Sequence, residues 1–194
     1  MRIEFENIVL RDMIKSDIED YVRWFTLETQ WMEFDAPWEN EDETYDEETE
    51  RKNWSRLYDA VKDKPDGEIR RKFEIEYEGR HVGWVSTYLF DVDCEWMSVN
   101  DIKEGEHARR AVGIDICESE LWGHGIGTAA LRAFINYYFE RGTGEIYTQT
   151  WSGNERMIRC AEKLGFAEFD RRVGEREVNG RKYDALTFIL KKEQ

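Results

Sequence analysis

Three glycines within five positions, Gly123, Gly125 and Gly127, separate an apolar run from the helix-forming stretch that opens at Thr128. Glycine tolerates positive φ and lets backbone N–H groups approach a ligand, and a helix starting just afterwards adds the positive end of its dipole. That spacing suits a phosphate-bearing ligand, although a tight turn alone would also use it. Asp115 is a second candidate, because a carboxylate inside Val112-Gly113-Ile114-Asp115-Ile116 is costly unless used or satisfied. A third is the acidic segment of residues 24–50, which lacks Lys and Arg and carries Glu33, Asp35, Glu39, Glu41, Asp42 and Glu43 among Trp31, Phe34, Trp38 and Tyr45. Carboxylates interleaved with aromatic faces suit a protonated amine; the alternative is a solvated acidic loop.

These residues need a scaffold. Residues 3–11 read as one edge strand, and Ser16-Asp17-Ile18-Glu19 resembles a capping box opening a helix with Ile18, Tyr21, Val22 and Phe25 on one face. A second helix is expected over 46–61, striped by Trp54, Leu57, Tyr58 and Val61. Strands follow at 72–77 and 82–90, hinged at Glu78-Gly79-Arg80, then a polar loop at 100–107 and a strand at 108–117. After the glycine turn come a helix over 128–141, a strand over 145–151, and a helix over 154–164 stopped by Gly165. Strands 166–173 and 182–190 join around Asn179-Gly180. The order predicts an α/β (α+β) fold: one domain with a central mixed, mostly antiparallel twisted sheet and about four helices.

The turn is not a P-loop, since the Lys and hydroxyl pair of G-x-x-x-x-G-K-[ST] is absent. Gly125 to Ala130 formally satisfies G-x-G-x-x-A, but Glu145 precedes its strand instead of ending it, and too little chain follows for a doubly wound sheet.

The whole pattern resembles the GNAT superfamily of acetyltransferases. Trp122-Gly123-His124-Gly125-Ile126-Gly127 occupies the place of its [Q/R]-x-x-G-x-[G/A] loop, with Trp122 where Gln or Arg is usual. The Trp-Gly-x-Gly form, Asn154-Glu155-Arg156 and Glu162-Lys163-Leu164-Gly165-Phe166 are similar to the branch containing ribosomal-protein-alanine, spermidine and aminoglycoside 6′-N-acetyltransferases. The resemblance implies that acetyl-CoA is the cosubstrate and that a primary amine attacks its thioester directly. It assigns the pyrophosphate to Trp122, Gly123, His124, Gly125, Ile126, Gly127 and Thr128, and the pantetheine arm to main-chain groups of Ile114, Ile116 and Cys117 and to Asn154.

Asp115 is the candidate base, with an exposed or backbone-bonded carboxylate as the alternative. Trp31, Glu33, Asp35 and Trp38 are the candidate acceptor residues, since the family's first two helices overhang the acceptor site. Residues 1–67 would form the acceptor side and 68–194 the sheet core and acetyl-CoA half. Ala161 stands where many members carry a Tyr general acid, leaving thiolate protonation to water or to a hydroxyl such as Tyr147. Cys160 reads as a buried structural thiol, and Glu118 and Glu120 as exposed loop acids. Asn154 and Gly165 also serve as ordinary helix signals.

A net charge of −15 argues against nucleic acid and favours a cationic partner. Cys94, Cys117 and Cys160 form no C-x-x-C pair, no signal-like segment opens the chain, and no apolar run approaches the roughly twenty residues of a membrane span, so a cytoplasmic protein off the membrane is expected. His81, His107 and His124 lack zinc-helix spacing, so no metal is expected. The expected acceptor is a small cationic amine such as a polyamine or an aminoglycoside. A protein N-terminus is the rival, and a non-catalytic acyl-CoA sensor is the reading from another class. The chain would act as a monomer or homodimer.

Overall fold

The computed structural model describes residues 1–39, 44–98 and 108–192. The polar loop expected at 100–107, with His107, and the acidic residues Glu41, Asp42 and Glu43 lie outside them. Two compact units emerge, Met1–Val85 with Asp115–Ala130, and Ser86–Ile114 with Leu131–Gln194.

The first unit opens with β1 (Arg2–Phe5), β2 (Ile8–Arg11) and α1 (Asp17–Thr26). Where one edge strand was expected over 3–11, the chain turns back at Glu6-Asn7. Glu6 takes φ 51, a left-handed position that carries no glycine in the sequence to advertise it. The capping box also fails to form. Ser16 is already helical and its side chain caps nothing. The Asp17 carboxylate instead accepts the Ile14 N–H at 2.8 Å and grips the buried Arg11 through two hydrogen bonds, at 2.7 and 2.8 Å. A buried guanidinium needs that carboxylate more than the helix end does.

Helix α2 (Glu47–Val61) starts where expected, with Asp46 accepting from the Thr49 N–H at 3.0 Å. Trp54, Tyr58 and Val61 pack inward, but Leu57 is exposed. Strands β3 (Lys72–Tyr77) and β4 (Arg80–Phe90) meet at a turn with φ 50 at Glu78 and φ 75 at Gly79. The core of this unit joins Met13, Ile18, Tyr21, Trp24, Trp31, Trp84 and Cys117.

Strand β4 continues into the second unit, where a two-residue β5 (Trp96–Met97), not foreseen, pairs with it. Strand β6 (Arg109–Ile116) and helix α3 (Ile126–Glu140) are likewise shared between the units. The second unit adds β7 (Glu145–Trp151), α4 (Glu155–Leu164), β8 (Ala167–Val178) and β9 (Arg181–Lys191). Leu131, Phe134, Ile135 and Tyr138 of α3 are buried, as the helical spacing requires. The last hairpin runs longer than expected, right up to Asn179 and Gly180 at φ 51 and 73.

Hydrogen-bonding order is β1-β2-β3-β4-β6-β7-β9-β8. The β6–β7 pair is parallel and the β1–β2, β2–β3, β7–β9 and β8–β9 pairs are antiparallel, which gives the mixed, mostly antiparallel sheet that the element order predicts. No helix among the described residues is long and apolar enough to cross a membrane.

Candidate active site

The glycine turn leads into α3, whose first internal bond runs from the Ala129 N–H to the Gly125 carbonyl at 3.0 Å. Ile126 and Gly127 open the first turn of the helix, ahead of that bond. No acidic residue occupies the first turn of α3. Gly123 and Gly125 are exposed at φ 82 and 85, and a Cβ on either would meet nothing within 4 Å. Backbone conformation, not crowding, therefore demands glycine, and the space in front of the turn stays open. Trp122 pins the turn: its indole N–H donates to the Ile116 carbonyl at 2.7 Å and its ring meets Phe34 edge-on at 5.6 Å. His124 is exposed, with Nδ1 3.1 Å from the Trp122 carbonyl oxygen.

Asp115 lies near the end of β6. It keeps a partly accessible surface, yet enough protein surrounds the carboxyl to desolvate it. Burial pushes its pKa well above the usual carboxylate range, the Asp35 charge pushes it further, and the Lys72 ammonium opposes both. Among the described residues no hydrogen bond or ion pair reaches the carboxylate. Its backbone is held closely by β4. Gly83, at φ 151, approaches until an added Cβ would lie 1.9 Å from the Asp115 carbonyl oxygen, and the Cys117 N–H bonds to Val82 at 3.0 Å. The buried Cys117 thiol is raised by desolvation and by Asp115. Ile114 and Ile116 are half-buried.

The other candidates fall in different settings. Asp35 is exposed and couples electrostatically to Asp115. Glu33 is exposed, Trp38 is half-buried, and Trp31 is a core residue whose indole N–H donates to the Trp24 carbonyl at 3.0 Å. In the second unit, Asn154 caps α4 by accepting the Met157 N–H at 3.0 Å, Ala161 is buried, and Cys160 is half-buried instead of fully buried. The Tyr147 hydroxyl donates to Glu145 at 2.9 Å.

Glu118 corrects an expectation. It is only 4% exposed and accepts from the Trp24 indole at 3.0 Å and from Arg23 at 2.7 Å, so it is an internal anchor. Glu120 is exposed, as expected.

Sequence reasoning missed the groups beneath the aromatic cluster. The Lys72 ammonium lies 4.5 Å from the ring centroids of Tyr21 and Trp84 and 4.9 Å from that of Trp54. Burial lowers its pKa, partly countered by Glu74 and Asp115. Glu74, fully buried, accepts from the Tyr21 hydroxyl at 2.5 Å and lies 3.1 Å from His81 Nε2, while His81 Nδ1 lies 3.1 Å from Asp20. Asp17, Asp20 and His81 bring potential metal-ligand atoms within 4.8 Å of one another, but Arg11 and Arg23 already pair with the two carboxylates. Alternation along Lys72-Phe73-Glu74 was the only signal, and it could not say which face is covered.

Strand, glycine turn and helix follow one another as the sequence predicts, and comparison with known proteins shows the class to which the fold belongs. Residues 7–167 match the acetyltransferase (GNAT) domain family, so the chain belongs to the GNAT acetyltransferases and is an acyl-transferring enzyme. Its fold is similar to a GNAT-family acetyltransferase from Bacillus anthracis (TM-score 0.69, 16% identity, 98% of both chains covered). It is equally similar to a ribosomal-protein-S5-alanine acetyltransferase from Vibrio fischeri (TM-score 0.69, 20% identity, 98% of this chain and 96% of that one). A ribosomal L7/L12 alpha-N-protein acetyltransferase in complex with coenzyme A follows (TM-score 0.68, 15% identity, 98% of both chains). No curated protein matches the sequence.

Proposed function

We propose that this enzyme transfers the acetyl group of acetyl-CoA directly to a primary amine on a small cationic acceptor, of the polyamine or aminoglycoside kind. The observation that carries the reading is the pairing of two carboxylates in one unit, a desolvated Asp115 and an exposed Asp35 that senses its charge. An ammonium between them would relieve their repulsion, which is a binding force specific to cations.

The residues present fit the cosubstrate. A helix start with no acidic residue in its first turn, and open space over Gly123 and Gly125, suit a pyrophosphate. Acetyl-CoA supplies the acetyl group already activated as a thioester. Main-chain groups of Ile114, Ile116 and Cys117 remain the proposed hold on the pantetheine arm, although the Ile116 carbonyl is already shared with Trp122. Asn154 remains the proposed hold on its far end. Asp115, with its raised pKa, takes the proton that the acceptor amine must shed, and Asp35 orients the ammonium. Ala161 has no proton to give, so thiolate protonation falls to water.

A protein N-terminus is the second reading, favoured by the likeness to ribosomal-protein acetyltransferases. Thiol release measured over a panel of polyamines, aminoglycosides and peptide N-termini separates the two. Asp115→Asn is expected to lower kcat/KM by about 10²–10⁴-fold while leaving acetyl-CoA affinity unchanged. It should also remove an ascending pH limb that lies above the ordinary carboxylate range. Unchanged turnover would remove Asp115 as the base, and acetyl-CoA binding without turnover of any acceptor would favour a sensor.

A further inference from the structure

Glu118 stands at the junction between β6 and the glycine turn, where a charged side chain ordinarily faces water. Its main chain serves the turn, and its side chain leaves it. The Glu118 carbonyl accepts the Leu121 N–H at 3.0 Å and opens the single 3₁₀ turn Ser119–Leu121, after which the Trp122 N–H bonds to the Ser119 carbonyl at 3.2 Å. The carboxylate does not cap that turn and reaches α1 instead. Its Oε1 accepts from both the Trp24 indole at 3.0 Å and Arg23 at 2.7 Å, and its Oε2 lies 3.3 Å from Arg80.

Burying a carboxylate is a poor route to stability, because desolvation offsets most of what its ion pairs return. What a fully bonded buried network does supply is a fixed geometry. Trp24 is fully buried and is bonded twice: its indole N–H goes to Glu118, and its carbonyl accepts the Trp31 indole N–H at 3.0 Å. Trp31 belongs to the acidic, aromatic segment that also carries Glu33, Asp35 and Trp38. A hydrogen-bonded line therefore runs from that segment through Trp24 to Glu118 and into the turn, all inside the first unit. The edge-on contact of Phe34 with Trp122 joins the same two segments a second time.

We infer that Glu118 is a positioning residue: by accepting the Trp24 indole N–H it sets where the glycine turn lies against residues 31–38, and so fixes the place of the cosubstrate. The inference rests on the reading of that turn as the acetyl-CoA site, and deepens it by naming the group that holds the turn in register. The oxygen that accepts from Trp24 matters more than the charge. Without Glu118, Arg23 keeps Asp20 and Glu28 as partners, and Arg80 is exposed to water. Glutamine would retain that oxygen, whereas leucine would fill the space and accept nothing.

The test titrates the full chain with acetyl-CoA in a calorimeter, with urea denaturation followed by circular dichroism on every variant. Glu118→Leu, and Trp24→Phe, which removes the N–H and keeps an aromatic ring, are each expected to raise Kd at least about tenfold, as misaligned charge-assisted hydrogen bonds to a phosphate would. Glu118→Gln should stay within about threefold of wild type, because it gives up only the long contact to Arg80. The double variant should bind no more than about threefold worse than the weaker single one, since both substitutions cut the same bond. Arg51→Ala, which breaks an exposed pair with Glu19 on α1, is the control and should shift Kd by less than about twofold. A merely structural role would lower the urea midpoint and the fraction of binding-competent molecules while leaving Kd at the wild-type value, and that result overturns the inference. If Glu118→Leu fails to fold, Trp24→Phe against Glu118→Gln decides the matter in the same way. A wild-type chain that binds acetyl-CoA no better than these variants leaves the transferase reading standing without the positioning role. Failure of the wild-type chain to bind acetyl-CoA at all overturns both.

Discussion

Replacing Gly83 with alanine tests whether β4 holds the backbone of Asp115 as closely as the structure indicates. The added Cβ would lie 1.9 Å from the Asp115 carbonyl oxygen, 2.9 Å from its carbonyl carbon and 3.1 Å from the Ile116 Cα. Ordinary carbon–oxygen contacts between neighbouring strands fall at about 3.3–3.6 Å, so β6 must retreat by more than about 1 Å. The atoms that have to yield are backbone, not the end of a flexible side chain. Overpacking of this kind costs about 1–3 kcal/mol. The φ of 151 adds strain for any L side chain, about 1–3 kcal/mol more. Together the loss is about 2–6 kcal/mol, set against a total stability of about 5–15 kcal/mol for a typical protein.

Urea denaturation followed by circular dichroism reads that loss, with Gly67→Ala as the control, because a Cβ at Gly67 meets nothing within 4 Å. The control is expected to stay within about 0.5 kcal/mol. Activity should fall along with stability, because the displaced strand carries Asp115 and the Cys117 N–H that bonds to Val82. A Gly83→Ala protein less than about 1 kcal/mol below wild type, with kcat intact, would refute the close approach and the argument built on it.

Arg70 is 2% exposed and donates to Asp12 at 2.8 and 3.0 Å and to the carbonyls of Lys64, Pro65 and Glu68. Arg70→Ala is expected to cost about 3–5 kcal/mol in the same denaturation assay, because it strands partners in a desolvated site; a loss near zero would mean that water replaces them freely. His81 predicts a pH dependence of stability. Burial alone would lower its pKa, but hydrogen bonds to Asp20 and Glu74, and the charges of Glu74 and Asp17, raise it above the ordinary value of 6.5. A raised folded-state pKa means that the contribution is fully present below 6.5 and is lost as pH rises through the folded value. Wild type should therefore lose its stability advantage over His81→Gln between neutral and alkaline pH; an advantage that grows with pH would show the histidine to be neutral.

Signals that act over three or four residues were legible. Asn154 caps the helix it precedes by accepting the Met157 N–H, and the second helix opens beside Asp46, where it was expected to start. Gly165 ends α4 at φ 87, and Asn179-Gly180 turns the final hairpin. The failures were of two kinds. Glu6-Asn7 makes a turn without the glycine that normally marks one, so two strands looked like one. Ser16 had the right spacing for a capping box, but a buried Arg11 drew Asp17 into a pairing that local spacing could not foresee.

By itself the sequence determined that glycines with positive φ precede a helix, that an acid interrupts an apolar strand, and that the order of strands and helices is that of the GNAT fold. Those features depend on each residue's own backbone freedom and near neighbours. Only the tertiary structure decided which polar groups are stripped of water. Glu118 meets Trp24 across 94 positions of chain, and Glu74 meets Tyr21 across 53. Lys72 entered its cage, and Asp115 acquired its raised pKa, by the same long-range packing. Desolvation and coupling are set by whatever distant segments close over a group, and distance along the chain carries no record of that.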